Sequence, residues 1–93
     1  MNNDTIIRKA KDCIDDNNYE RLQEIYERLI KENREKREYR PNFEYVFQKI
    51  YLYACIKGDK DVIEWMKRIY ETFGDVEKIA LKPTLIYGKY ILK

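Results

Sequence analysis

The stretch Tyr53–Tyr70, with the sequence YACIKGDKDVIEWMKRIY, predicts the end of one helix, a glycine turn and the start of a second helix. Gly58 can adopt the positive φ that closes a helix, and either Asp59 or Asp61 can cap the next one. The apolar residues after the turn recur at helical spacing; they are Ile63, Met66, Ile69 and Tyr70. This stretch therefore predicts an antiparallel helical hairpin, and it contains no set of residues that suggests a reaction.

A second hairpin is predicted before it. Asp4 or Thr5 can cap a first helix that runs to about Asp15, and a turn of short polar residues follows. The segment from about Tyr19 to Glu35 has a regular 3.6-residue apolar period, which predicts the second helix. Together these helices form a hairpin over about residues 4–35.

The third helix is predicted to begin at Pro41 or Asn42, because proline disfavours helical backbone in the residue before it. Its apolar residues at nearly every turn predict the most buried element of the fold. The fourth helix extends from about Lys60 to Thr72, and Gly74 is expected to end it as a left-handed residue. These two helices make a hairpin over about residues 42–73.

The C-terminal segment, about residues 76–93, allows two interpretations. The short apolar run Val76–Leu81 is interrupted by Pro83, and Thr84–Leu92 fits a short helix that Gly88 weakens by about 1 kcal/mol. An extended strand is the alternative, but no second strand is available to pair with it. We therefore predict a single all-α domain over residues 1–93, with four to five helices as stacked antiparallel hairpins.

The two hairpins align with each other without a gap at a shift of 41 residues. Asn17 then falls on Gly58, and these residue types are the two best suited to a left-handed turn position. Cys13 falls on Ala54, and the apolar positions after the turn also agree. The alignment favours a repeated hairpin with a partial third unit. Chance similarity between two hairpins of a helical bundle is the alternative.

The second hairpin resembles the ankyrin repeat, in which an inner helix, a glycine turn and an outer helix have the form Ala-Ala-x-x-Gly-His-x-x-Val-Val-x-x-Leu. Asp59 stands where that family has histidine, and Lys49–Leu52 stands where it has Thr-Pro-Leu-His. The sequence Asp-Val-Ile-Glu-Trp-Met at residues 61–66 is similar to the divergent ankyrin-type repeats of large DNA viruses. The resemblance implies stacked hairpins that bind a protein without chemistry, as in a viral inhibitor directed at the host. The matching positions are Ala54, Gly58, Val62, Ile63 and Met66.

The residue inventory argues against an enzyme. The chain contains no histidine and no serine, and its only two cysteines are Cys13 and Cys55. Most triads, Cys–His pairs and zinc sites need these residue types. The glycines are isolated, so no phosphate-binding loop is predicted. We expect no catalytic residues, no metal and no cofactor.

The composition predicts a cytoplasmic protein inside the cell, or in the host cytoplasm if the chain is viral. The two cysteines do not form a dense disulfide framework, and no apolar N-terminal stretch resembles a signal peptide. We expect both thiols to be free and buried. The longest apolar runs are shorter than a membrane span requires, so no membrane association is expected.

A protein partner, either a second copy or another protein, is the favoured binding class. Tyrosine and tryptophan are enriched at the cores of interfaces, and this chain has nine tyrosines. The candidate anchors are Trp65, Tyr51, Tyr53 and Tyr70. Trp65 lies beside the apolar stripe of its helix, so it can equally be a packing residue. A structural homodimer through the first or the third helix is a related alternative.

Nucleic-acid binding is the other alternative. The last sixteen residues carry positive charges and no negative ones, and tyrosines are interleaved with the lysines. Cations with stacking rings are typical of proteins that bind single strands. The candidate residues are Lys78, Lys82, Tyr87, Lys89, Tyr90 and Lys93. The net charge of +2 does not by itself indicate an anionic partner.

Overall fold

The computed structural model describes residues 2–92, and all of its regular secondary structure is helical. This confirms the predicted all-α class. None of the helices in this range combines the length and the hydropathy needed to cross a membrane. The elements in chain order are α1 (Asn3–Asp15), α2 (Tyr19–Glu35), a 3₁₀ turn (Arg37–Tyr39), α3 (Arg40–Lys57), α4 (Lys60–Glu71) and α5 (Asp75–Leu92).

Helix α3 is the centre of the molecule, as its sequence predicts. Tyr51 and Cys55 face α5, where they lie against Gly88. Tyr53, on the opposite side of α3, reaches α1, where its hydroxyl donates a hydrogen bond of 2.7 Å to Asp15. α1 and α5 therefore pack on opposite sides of α3, whose apolar residues are buried because neighbours cover it from several directions.

Helices α2 and α4 meet above α3 through a group of aromatic rings. The ring of Tyr26 on α2 lies edge-on to Phe47 of α3 and to Trp65 of α4, with centroid distances of 6.1 and 5.1 Å. Phe73, after α4, packs edge-on against Phe43 and Phe47. Such edge-to-face pairs add to the burial of apolar area and join the two hairpins into one core.

The two hairpin turns have the same geometry at the shift of 41 residues. Asn17 has φ 57° and Gly58 has φ 70°, which confirms the left-handed conformation expected at both positions. The amide of Asn18 donates to the carbonyl of Cys13 at 2.8 Å, and the amide of Asp59 donates to the carbonyl of Ala54 at 3.1 Å. These bonds satisfy helix-end carbonyls that would otherwise lack partners.

The caps that follow the turns are also equivalent. The side chain of Asn18 accepts from the amide of Arg21 at 3.3 Å, and that of Asp59 accepts from the amide of Val62 at 3.2 Å. Asp59, rather than Asp61, is therefore the cap of α4. Each cap satisfies one of the free amides in the first turn of its helix.

Several predicted helix ends are wrong by a few residues. Asn2 caps α1 in place of Asp4 or Thr5, because its side chain accepts from the amide of Thr5. α3 begins one residue before Pro41, which occupies the first turn of the helix, where its missing amide costs no hydrogen bond. Gly74 does not end α4 as a left-handed residue; α4 ends at Glu71, and Gly74 precedes α5.

The largest difference concerns the C-terminal segment. The predicted interruption at Pro83 is wrong, and so is the extended alternative, since α5 is one helix from Asp75 to Leu92. Pro83 removes the amide that would bond the carbonyl of Ile79, but both residues are exposed on the solvent side. Packing of the opposite side of α5 against α3 stabilises the helix despite this loss.

Candidate interaction surface

Two of the predicted partner-binding tyrosines are not on the surface. Tyr51 is 1% exposed, and burial raises the pKa of its phenol to about 12. Tyr70 is 9% exposed, and its hydroxyl donates a hydrogen bond of 2.9 Å to the carbonyl of Lys78. Their assignment as surface anchors is wrong, because both rings face neighbouring helices of the same chain.

The other two predicted anchors are half-buried. The ring of Trp65 packs edge-on against Tyr26, which agrees with its interpretation as a packing residue. Tyr53 donates to Asp15, and this hydrogen bond raises the pKa of its phenol. The ammonium groups of Lys11 and Lys57 lie 5.1 and 5.5 Å from the centroid of the same ring. Both rings are therefore largely engaged within the chain.

The structure brings the predicted nucleic-acid-binding residues together on α5. Lys78, Lys82 and Lys89 lie along one edge of the helix, because positions four and eleven residues apart nearly coincide at 100° per residue. Lys78 forms an ion pair of 3.6 Å with Glu71. Tyr87 and Tyr90 are 58% and 71% exposed. At 100° per residue, however, Tyr87 lies on the far side of α5 from the three lysines. Lys93 lies outside the described residues.

A surface that the sequence interpretation missed lies next to this lysine edge. Five of the eight large apolar or aromatic residues that are exposed in the described chain belong to α5. With Ala80 and Pro83 they form one continuous stripe, which we name the α5 outer face. It consists of Val76, Ile79, Ala80, Pro83, Ile86, Tyr87 and Tyr90, all exposed.

The spacing of these residues explains how one helix has two apolar sides. The outer face recurs at three, four and seven residues, which places its members within about one third of the helix circumference. Leu81, Thr84 and Gly88 form the buried side that packs on α3. A helix that is apolar nearly all round is normally covered on every side. The two apolar sides are present in the sequence. They become apparent only when α5 is treated as one continuous helix, whereas the predicted break at Pro83 divided it.

The α5 outer face is large for a chain of this size. Ile79 is 75% exposed, Tyr90 is 71%, and the remaining large members are between 45% and 58%. At roughly 200 Å² for a fully open large side chain, they present on the order of 600 Å². Contiguous apolar patches of this size on a monomer are often functional.

The opposite end of the molecule has a different character. The outward side of α1 carries Asp4, Arg8 and Asp12, which are exposed and recur every four residues. A groove of about 400 Å³ between α1 and α2 has Ile6, Ile25 and Leu29 as its apolar lining. Charges of both signs line its rim, so it favours no single kind of ligand; they are Lys9, Arg21, Glu24, Arg28 and Glu32.

The thiols are placed as expected. Cys13 and Cys55 are free and buried, and burial raises the pKa of each thiol above its usual value. A raised pKa keeps a thiol protonated and therefore a poor nucleophile. Within residues 2–92, no three acidic or cysteine side chains are grouped closely enough to hold a metal ion.

Comparison of the chain with protein-family models, with curated proteins and with solved structures gave no match.

Proposed function

We propose that this protein is a small protein–protein interaction module that binds its partner through the α5 outer face. The single observation that carries the proposal is the continuous exposed stripe of apolar and aromatic side chains on a helix whose other side is already packed. Covering such a stripe removes apolar area from water, which is the main driving force of most protein association. The proposal includes no catalytic step, because the sequence has no histidine or serine and both thiols are buried.

The character of the stripe supports a protein rather than a small molecule. Tyr87 and Tyr90 combine large rings with polar tips, a combination enriched at interfaces. The stripe lies on the outer side of an exposed helix, and Ile86 at its edge borders an open groove between α4 and α5. Sites for small molecules are usually enclosed and concave. The adjacent Lys82 and Lys89 supply a charged rim of the kind that surrounds an apolar interface core.

The test is capture of a partner from nuclease-treated lysate with three forms of the tagged chain. Ile79→Glu places a charge in the middle of the α5 outer face, where the side chain is 75% exposed. Ile56→Glu is the matched control, because Ile56 is 66% exposed on α3 and lies outside the face. We expect a defined protein that the wild type and Ile56→Glu retain and Ile79→Glu loses. Equal retention by all three forms would contradict the proposal.

Nucleic-acid binding is a second candidate, favoured by the alignment of three lysines along one edge of α5, a helix that also carries two exposed tyrosines. Its test is the fluorescence anisotropy of a labelled single-stranded oligonucleotide at increasing salt. The double variant Lys82→Gln, Lys89→Gln should weaken binding about tenfold or more if this edge is the site. Lys31→Gln, Lys60→Gln has the same change in charge at exposed positions on other helices and should bind like the wild type. Equal weakening by both double variants would indicate non-specific attraction.

The remaining expectations stay predictions. The resemblance to viral ankyrin repeats implies a host-directed inhibitor in the cytoplasm, and the equivalent turns at Asn17 and Gly58 are consistent with stacked hairpins. Identification of the retained protein in the capture experiment would test this role directly.

A further inference from the structure

We propose that the partner of the α5 outer face is a second copy of this chain, packed with its own α5 antiparallel to the first about a twofold axis near Pro83. This inference rests on the proposed function and names its partner. A twofold interface uses the same patch on both copies, so the patch must be complementary to itself. The α5 outer face meets this condition in the position and the size of its residues.

The positions of the face are symmetric about Pro83. Ala80 and Ile86 lie three residues on either side, Ile79 and Tyr87 lie four residues away, and Val76 and Tyr90 lie seven residues away. In an antiparallel pair centred on Pro83, residues from one half of the helix therefore lie level with residues from the other half of the partner's helix.

Side-chain size makes this pairing selective. The first half of the face carries the smaller members, Val76, Ile79 and Ala80, and the second half carries the larger ones. Antiparallel packing places Val76 opposite the partner's Tyr90 and Ala80 beside the partner's Tyr87. Facing layers of large and small side chains interdigitate without voids. Parallel packing would place large residues on large ones at one end and leave gaps at the other.

The charges along one edge of the face also differ between the two ends of the helix. Asp75, Lys82 and Lys89 are seven residues apart and lie along one edge of the face. In a twofold antiparallel pair this edge meets its own copy, so Asp75 comes near the partner's Lys89. The two Lys82 side chains come near each other close to the axis and repel. Lys82→Gln should therefore strengthen the dimer, whereas it would weaken binding to nucleic acid.

The area of the face sets the expected strength. Burying on the order of 600 Å² on each copy gives about 1,200 Å² in total, which is at the lower limit of specific interfaces. We expect a dissociation constant on the order of 10 µM. The outward side of α1 is charged and cannot continue a stack, so association should stop at the dimer.

Sedimentation equilibrium of the purified full chain, from about 1 to 500 µM, tests the association. The wild type and Ile56→Glu should pass from monomer to dimer, and Ile79→Glu should raise the dissociation constant at least about tenfold. Helical circular dichroism of each variant checks that it is folded. A wild-type monomer over the whole range, or a dimer unaffected by Ile79→Glu, would overturn the proposal.

Disulfide crosslinking tests the antiparallel arrangement. A mixture of Val76→Cys and Tyr90→Cys chains should form mainly the mixed 76–90 disulfide, since Val76 lies opposite the partner's Tyr90. Like positions would be about 21 Å apart along the helix axis and should crosslink poorly. Preferential 76–76 and 90–90 disulfides would instead show parallel packing and refute the geometry.

The outcomes separate the two proposals. A wild-type monomer that still captures another protein through the α5 outer face refutes self-pairing and leaves the interaction module standing. A monomer whose capture is insensitive to Ile79→Glu refutes both.

Discussion

Replacing Gly88 with alanine tests how α5 packs on α3. Gly88 lies in the interior of α5 and is buried. A methyl group added there would lie 2.7 Å from Cε1 of Tyr51 and 2.9 Å from Sγ of Cys55. Both distances, one from carbon to carbon and one from carbon to sulfur, are well below van der Waals contact. Tyr51 and Cys55 are buried on the central helix, so neither side chain can move aside freely.

Two effects of the substitution oppose each other. Alanine is favoured over glycine in a helix interior by about 1 kcal/mol. Overpacking of a well-packed core typically costs about 1–3 kcal/mol, and two simultaneous clashes favour the upper part of that range. We therefore expect Gly88→Ala to lower the free energy of unfolding by about 1–2 kcal/mol. The melting temperature should fall by roughly 4–15 °C, as measured by circular dichroism and urea denaturation.

Two further variants separate packing from helix propensity. Ala80→Gly makes the reverse exchange at an exposed position of the same helix, so it measures helix propensity alone. It should lower the free energy of unfolding by about 1 kcal/mol. Cys55→Ala removes one of the two clashing atoms, so Gly88→Ala should cost at least about 0.5 kcal/mol less in that background. If Gly88→Ala instead stabilises the wild-type chain by about 1 kcal/mol, helix propensity governs this site and the packing argument is refuted.

Five other substitutions test the turns and the buried polar groups, each by urea denaturation. Gly58→Ala should destabilise by about 1 kcal/mol because φ is 70°, whereas no loss would contradict a left-handed requirement. Asp59→Ala should lower the free energy of unfolding by about 1 kcal/mol, and by more than the equivalent Asn18→Ala. The reason is that Asp59 also accepts a hydrogen bond from the hydroxyl of Tyr19 in the first hairpin. Equal losses would show that this added contact does not stabilise the chain. Tyr26→Phe should cost less than about 1 kcal/mol or stabilise, because the buried hydroxyl has only a sulfur acceptor at 3.5 Å; a larger loss would contradict this. Burial raises the pKa of Glu44, so the protonated side chain stabilises the fold in acid and this stabilisation is lost as pH rises through the raised pKa. Glu44→Gln should therefore stabilise the chain by up to about 1 kcal/mol at pH 7 but not at pH 3. The same gain at both pH values would refute a raised pKa for Glu44.

The turns were predictable because they depend on residues close together in the chain. Asn17 and Gly58 tolerate positive φ through their own chemistry, and Asn18 and Asp59 cap helices through amides three residues away. The buried character of α3 also followed from its composition. No distant part of the chain is needed for these decisions.

The surface depended on long-range packing. Pro83 indicates a break locally, but contacts with α3 keep α5 continuous. The tyrosines show the same limit, because Tyr51 and Tyr70 are buried while Tyr87 and Tyr90 are exposed, although all four have the same side chain.

The sequence by itself determined helices α1 to α4, the two hairpin turns and the lack of histidine and serine. It also contained two apolar sides on α5, but periodicity alone does not show which side packs inward. Only the tertiary structure decided this, because the side with Gly88 can approach Tyr51 and Cys55 closely enough to exclude water. The other side, with Ile79, Tyr87 and Tyr90, remains exposed because no other part of the described chain covers it.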